Sequence, residues 1–554
     1  MTNESDPEQR YRDANSERHS HIERVLASLS PKKVVVAGPG TGKTYLFKQV
    51  LEGKRNPLTL TFVNALVEDL SLDLYGMSEV RTLHSFARNL LKLLWKKKDI
   101  NVFPRLSSII AEDLQMLTGE RIDFDKIFHT RDDGNEHIAF YRRRKKYYDD
   151  SYGYPDIVFA AVKFLEEHSE AIPTYDQIVV DEFQDFNELE VSLIDLLSQR
   201  SPVLLAGDDD QALYDFKNAD SKHIRARHNG NHPGYEAFNL PFCSRCTRVV
   251  VDAANDIIKS AKANGLLIGR IAKPYRYFED KEKDAISARH HTITYTQRFA
   301  PQFAWFIDAK LAEIAAAVRR EFTVLVISPT KAQARKVATA LRKKGFQGVE
   351  FVERADREPG LLDGLKVLLE NGSSNLGWRI VAGELLKERT SDLKSLLERS
   401  DREGAPAIRM LVSQEHKKLT KKMLTVLRDV RDDRPISEAG LLLLKQIGTE
   451  PHKMGLEALN DELNSRGQVV SPGLRQLPIK ATTVQGSKGL SADVVFLTHF
   501  DDRLFISRSG ITDKDVCSFL VALTRAKMKV FLMSSQRKSP TFLQWIDPKR
   551  VCLE

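Results

Sequence analysis

Short apolar runs recur along the chain and alternate with stretches of helical spacing. Residues 33–37, 58–63, 178–180, 203–206, 323–327, 493–497 and 529–533 read as strands buried on both faces, because they lack the in–out alternation of a half-solvated strand. Phe303, Phe306, Ile307, Leu311, Ile314 and Val318 form a stripe at three- and four-residue spacing, which predicts a helix with one face on a core. Strands alternating with helices predict an α/β fold of parallel sheets covered by helices on both faces. The strands fall into two groups, and a helical, charged stretch interrupts each. We therefore expect a first α/β domain over 1–95 and 171–240 with a mostly helical insertion over 96–170. A second is expected over 241–372 and 473–554, with a helical insertion over 373–472. NGSSN at 371–375 and SPGLRQLP at 471–478 punctuate the second insertion.

Composition narrows the class without choosing a function. Hydrophobic residues make up 42% and charged residues 29% of the 554, so disorder is excluded as the main state. The net charge of +8 permits a nucleic-acid partner but does not establish one. Four cysteines exclude a disulfide scaffold and fit a reducing cytoplasm. No apolar run is long enough to cross a bilayer, and the polar N-terminus is not a signal peptide. The expectation is a cytoplasmic protein with no membrane partner.

Chemistry concentrates in three places. Residues 34–44, VVVAGPGTGKT, run from an apolar strand through a glycine-rich turn into a helix. The backbone of Ala37, Gly38, Pro39, Gly40, Thr41 and Gly42 can curl around phosphates, with the helix N-terminus adding partial positive charge. Lys43 would reach the β- and γ-phosphates and Thr44 would hold Mg²⁺, which makes ATP with Mg²⁺ the expected cofactor pair. The G-x-G-x-G-K spacing excludes a dinucleotide fingerprint. In residues 175–185, YDQIVVDEFQD, a second strand ends in two carboxylates. Asp181 can hold Mg²⁺, and Glu182 can polarise a water for attack on the γ-phosphate. Residues 203–216, VLLAGDDDQALYDF, end a third strand in a polar turn. Gln211 could report the γ-phosphate, and Tyr214 and Phe216 could stack bases.

These elements, taken in order, resemble the UvrD/Rep-type helicases of superfamily 1, as a short, stand-alone member. The resemblance covers nearly the whole chain. TFVN (61–64) is similar to the family's TF-x-N element, and RTLHSFA (81–87) to its T-x-H-S-F element. LPFCSRC (240–246) resembles L-x-x-N-Y-R-S, TVQGSKGL (483–490) resembles T-x-H-x-x-K-G-L, and VALTRAK (521–527) is close to identical to the last motif. The resemblance implies two RecA-like P-loop domains with ATP in the cleft between them. Arg245 and Arg525 would reach the γ-phosphate as arginine fingers, and Gly489 would be a nucleotide contact. Single-stranded DNA would pass Phe62, Asn64, His84, Tyr214, Phe216, Thr483 and Gln485, moving 3′ to 5′ with duplex DNA ahead.

Departures from the pattern lie on the nucleoside side. The family's adenine-reading Gln has no counterpart, His21 standing near that spacing. The aromatic before Arg245 is Ser244, and the acid after K-G-L is Ser491. The phosphate contacts look intact, so weak discrimination among nucleoside triphosphates is expected. The Cys243-x-x-Cys246 pair lacks a second pair and is not read as a zinc site. The sequence runs 27 residues beyond Lys527, so a fused nuclease is not expected. A second function class stays open: a nucleotide-gated DNA-binding or sensor subunit that regulates a separately encoded nuclease or repair protein.

Overall fold

The computed structural model describes residues 7–61, 64–213, 218–318, 321–352, 359–402, 404–448 and 474–554. In chain order its strands are β1 (Lys32–Ala37), β2 (Pro57–Thr61), β3 (Glu79–Thr82), β4 (Gln177–Val180), β5 (Val203–Gly207), β6 (Glu236–Leu240), β7 (Phe242–Cys243) and β8 (Arg276–Tyr277). They continue with β9 (Ile293–Gln297), β10 (Val324–Ser328), β11 (Val349–Phe351), β12 (Ile479–Thr483), β13 (Ala492–Leu497), β14 (Ala526–Ser534) and β15 (Val551–Leu553).

The first sheet has the order β3-β2-β4-β5-β1-β6 and the second β11-β12-β10-β13-β14-β9-β15. Every pairing in both is parallel. Parallel strands joined by crossover helices must be covered on both faces, which is why the central strands read as unbroken apolar runs. Two RecA-like α/β domains result. The predicted stripe forms the helix Phe303–Ala317, and Phe303, Phe306, Ile307, Leu311 and Ile314 are buried against the second sheet. Val35, Ala37, Leu46, Phe47, Val179 and Leu204 build the core on one face of the first.

Both sheets belong to one compact unit, residues 1–83, 168–354 and 471–554. The helical stretches form a second unit, 84–167 with 355–470. Residues 84–95 and 359–372, expected with the sheets, lie in the helical unit. The helix Leu361–Glu370 packs there against Asn375–Leu385, with Gly364 and Gly377 allowing the close approach. At its centre the buried carboxylate of Asp113 accepts from Arg144 and from Arg379, each at 2.6 Å, and from Tyr148. This network joins the two insertions within one core. Among the described residues, no helix is long and apolar enough to cross a membrane.

Candidate active site

In the first sheet, β4, β5 and β1 are neighbours, so the turns that follow them share one edge at roughly 4.8 Å spacing. After β1 the chain turns through Gly38–Gly42 into the helix Lys43–Leu51. Gly40 and Gly42 take φ values of 70° and 96°, which a side chain would strain. Gly40 also lies directly against Arg245, and Ser244 donates to the Gly40 carbonyl from its N–H at 2.9 Å and its hydroxyl at 3.1 Å. Ser244 thus holds its own segment on the phosphate loop. Tyr275 caps the loop from the other side, its hydroxyl donating to the Pro39 carbonyl at 3.0 Å.

The Lys43 ammonium is bonded to Glu182 Oε1 at 2.9 Å and lies 3.7 Å from Asp181 Oδ1. Burial works against its charge, but Glu182 and Asp181 outweigh burial and raise its pKa. Desolvation pushes the Asp181 carboxyl up to about 6, against the pull of Lys43. Glu182 feels the same desolvation, but Lys43 and Lys488 reverse it and hold this group well below the usual carboxylate range. Glu182 also has a left-handed backbone, φ 53°, at the end of β4. Gln184 donates to Glu182 Oε2 at 2.6 Å and accepts the Asp208 N–H at 2.9 Å. Gly207, at the end of β5, leaves the space that the Gln184 side chain fills.

The donor set fits Mg²⁺. Asp181 Oδ1 is buried and lacks a hydrogen-bond donor, as expected of an oxygen built to meet a hard cation. Thr44 follows Lys43 in the first turn of the phosphate-loop helix and is half-buried.

The second RecA-like domain completes the site. Gln211 Nε2 donates to Asp208 at 2.8 Å, and Gln211 Oε1 accepts from Arg525 Nη2 at 2.9 Å. Arg525 is further fixed by donating to the Val521 carbonyl at 2.9 Å. Burial, and then the nearby charge of Arg245, pull its pKa down to about 10. Lys488 is buried, donates to the Gln211 carbonyl at 2.6 Å and is paired with Asp185. Gly489 follows it with φ 87°, which turns the chain toward Leu490, whose carbonyl accepts from Arg525. Lys43, Asp181, Glu182, Gln211, Arg245, Gly489 and Arg525 therefore come together around one cleft.

Sequence reasoning missed four participants. Lys488 stands inside a quoted motif but carried no assigned role. Gln184 lies in DEFQD and likewise carried no assigned role. Lys273 and Tyr275 gave no signal, since both come from a segment without a motif. Lys273 pairs with Asp208 at 2.6 Å, with Asp210 at 3.1 Å and with Asp209. Arg270 and Arg225 add bonds to Asp210 and Asp209 at 2.7 and 3.0 Å. The aspartate cluster 208–210 is thus neutralised by side chains and needs no metal.

The expected DNA contacts are only partly visible. Phe62, Tyr214 and Phe216 lie outside the described residues. Asn64 opens the helix Asn64–Asp73. His84 belongs to the helical unit, its ring 4.7 Å from that of Tyr154. Thr483 ends β12 and accepts from the Gly486 N–H at 3.1 Å, with Gln485 half-buried in the following turn. His21 lies on the N-terminal helix, edge-on to Phe242 at 6.0 Å. Cys243 and Cys246 are both buried and free, the latter donating to the Thr524 carbonyl at 3.5 Å.

A phosphate loop, a carboxylate pair and an arginine on the second of two RecA-like domains form a site of the P-loop nucleotide-binding type, built across two domains. Residues 115–230 match the family model of the UvrD/REP helicase N-terminal domain. ATP-dependent DNA helicase PcrA of Staphylococcus aureus is 23% identical over 278 residues, 41% of this chain and 38% of that protein. ATP-dependent DNA helicase srs2 of Schizosaccharomyces pombe is 27% identical over 139 residues, 24% of this chain and 16% of that protein. DNA helicase II of Escherichia coli is 36% identical over 87 residues, 16% of this chain and 12% of that protein. The matched stretches thus span well under half the length of these relatives. With the fold and the motif order, these matches show a likeness of the chain to the UvrD/Rep-type helicases of superfamily 1.

Proposed function

We propose that the chain is a DNA-stimulated ATPase that moves 3′ to 5′ along single-stranded DNA and unwinds duplexes, acting in the cytoplasm in DNA repair, replication or phage defence. One observation carries the reading: an unbroken bonded path from Lys43 through Glu182, Gln184, Asp208 and Gln211 to Arg525. It joins the phosphate loop of one RecA-like domain to an arginine of the other, which a simple phosphotransferase has no use for. The three relatives are each named as DNA helicases, two of them as ATP-dependent, and that supports DNA as the track.

Each residue has a role in this reading. The amides of the turn and the helix N-terminus receive the phosphates. Lys43 exchanges Glu182 for the β- and γ-phosphates. Glu182, ionised at neutral pH, orients the attacking water and takes its proton. Thr44 and Asp181 would hold Mg²⁺, which when bound neutralises charge on the phosphates. Arg525 and Arg245 stabilise charge on the γ-phosphate, a role worth roughly 10³–10⁵ in rate.

The test is ATP hydrolysis with and without single-stranded DNA, for wild type, Lys43→Ala and Arg525→Ala, followed by strand displacement from 3′- and 5′-tailed duplexes. Strong stimulation lost in both variants, with displacement from the 3′ tail alone, is expected. Stimulated hydrolysis with displacement from neither tail would refute unwinding and favour the sensor-subunit alternative.

A further inference from the structure

Because all strands of the second sheet are parallel, the C-terminal ends of β12, β10, β13, β14 and β9 line a single edge. Thr483 and Gln485 stand at one end of it, after β12. Four strand steps away, about 19 Å, the chain leaves β9 through Arg298 and Phe299 and enters the helix Phe303–Ala317. Phe299 is 76% and Trp305 55% exposed. The Arg298 guanidinium lies over the Trp305 ring, 5.7 Å from its centre, and 4.9 Å from that of Phe306, which leaves Trp305 more than half exposed. The next turn along the edge, after β14, is tied to this one: Arg298 N–H donates to the Ser534 carbonyl at 2.9 Å and Gln297 to the Gln536 carbonyl at 2.8 Å. That turn presents exposed Arg537 and Lys538.

The acids along this edge are each held by a neighbouring donor or cation. Asp501 is buried and accepts from Ser534, Ser535 and Gln536. Asp502 accepts from Thr541 at 2.8 and 3.1 Å. Glu554, beyond β15, is paired with Lys310 at 2.7 Å. What faces solvent is two aromatic rings beside a run of basic residues.

We propose that Phe299 and Trp305, with Arg298, Arg537 and Lys538, form a base-stacking platform that extends the single-stranded DNA track along this edge from Thr483 to the far side of the second RecA-like domain. This deepens the function proposed above and rests on it. Basic groups track the phosphates, and exposed ring faces accept any base. An apolar protein partner would not need the basic turn, and continuity with the Thr483 end favours a strand that arrives along the edge.

The experiment measures binding of the full chain to labelled oligo-dT of increasing length at one salt concentration. It compares wild type, Phe299→Ala/Trp305→Ala and Trp305→Phe. Wild-type affinity should step up once the strand is long enough to reach the platform. The double variant should lose that step, its Kd for long strands rising roughly 30-fold or more while short strands bind as before. Trp305→Phe should keep most of the step, and hydrolysis without DNA should be unchanged throughout. Equal affinities for wild type and double variant at every length would overturn the platform and leave the face to a protein partner. A uniform loss at every length would also overturn it. If wild type binds no oligonucleotide at all, the DNA reading itself fails, which the other two outcomes would not show.

Discussion

Replacing Lys488 by Met removes a buried cation that spans the two RecA-like domains. Its ammonium is paired with Asp185, donates to the Gln211 carbonyl at 2.6 Å and lies 3.8 Å from Glu182. Breaking a buried pair from one side costs about 3–5 kcal/mol, because the remaining charge is left uncompensated. Both sheets lie in one unit of about 350 residues, whose unfolding entropy is about 0.7 kcal/mol per degree. The melting temperature should therefore fall by about 4–7 °C. The pH dependence is the sharper test. Burial already pushes the Asp185 carboxyl up to about 6, against the pull of Lys488. A folded-state value above the unfolded one contributes stability that is full below the unfolded value and is lost as pH rises through the folded one. In wild type that loss, about 3 kcal/mol, is complete slightly above pH 6. Without Lys488 the folded value climbs further, so the variant goes on losing stability between pH 6 and 8. Melting curves of wild type, Lys488→Met, Asp185→Asn and the double variant across pH 5–8 should show a gap that widens with pH for Lys488→Met and not for the double variant. A gap independent of pH, or a double variant as unstable as the two single effects summed, would refute the reasoning.

Three further outcomes follow from other parts of the structure. Asp113→Asn should destabilise the helical unit by about 3–5 kcal/mol by leaving Arg144 and Arg379 buried beside a neutral group, read by hydrogen exchange in 84–167 and 355–448. Burial raises the Asp113 carboxyl, but Arg379 and Arg144 prevail and hold it below the usual range. The stability it contributes is therefore present above the unfolded pKa and lost as pH falls through the folded one, so in wild type the helical unit should open first on acidification. Hydrolysis assays with ATP, GTP, CTP and UTP should give kcat/KM values within about tenfold of one another, since Ser244 is bonded to the Gly40 carbonyl and offers no ring to a base. A strict preference for ATP would overturn that expectation.

The central strands were legible because burial on both faces leaves an apolar run that nothing else in the chain imitates. The edge strands were not. β3, β6 and β11 are short or carry exposed positions such as Glu79, Glu236 and Glu350, so their pattern resembles that of loops. β12 carries Lys480 and Thr483 among its apolar residues and was seen only as a motif. The phosphate loop, the carboxylate pair and the distal arginines could be read because their chemistry demands fixed residue types at fixed spacing. Lys273 could not, because its role depends on a turn bringing it to Asp208–Asp210 from about 60 residues away, and a single lysine at that distance has no local signature. The helical insertions were recognised as two, but their union into one core rests on Asp113 meeting Arg144 and Arg379, a pairing that spacing alone does not encode.

The polar path through the cleft also explains why so much charge is buried there. An isolated carboxylate at Asp185, Asp208 or Glu182 would cost several kcal/mol to desolvate, yet each meets a cation or a donor supplied by a different segment. Glu182 takes Lys43 and Gln184, Asp185 takes Lys488, and Asp208 takes Lys273 and Gln211. The pairings are mutually dependent, so adding a negative charge beside Lys43 cannot leave the rest unchanged. A phosphate there competes with Glu182 for the ammonium. The Glu182 carboxylate accepts from the Gln184 amide, and the other end of that amide accepts the Asp208 N–H. A shift at Glu182 is therefore delivered to the turn that positions Gln211, and through Gln211 Oε1 to Arg525. Apolar side chains packed in the same cleft would bind the two domains together more simply, but they would not distinguish the presence of a γ-phosphate from its absence. In the proposed ATPase the buried charges would, because a phosphate on Lys43 would change which cation Glu182 holds.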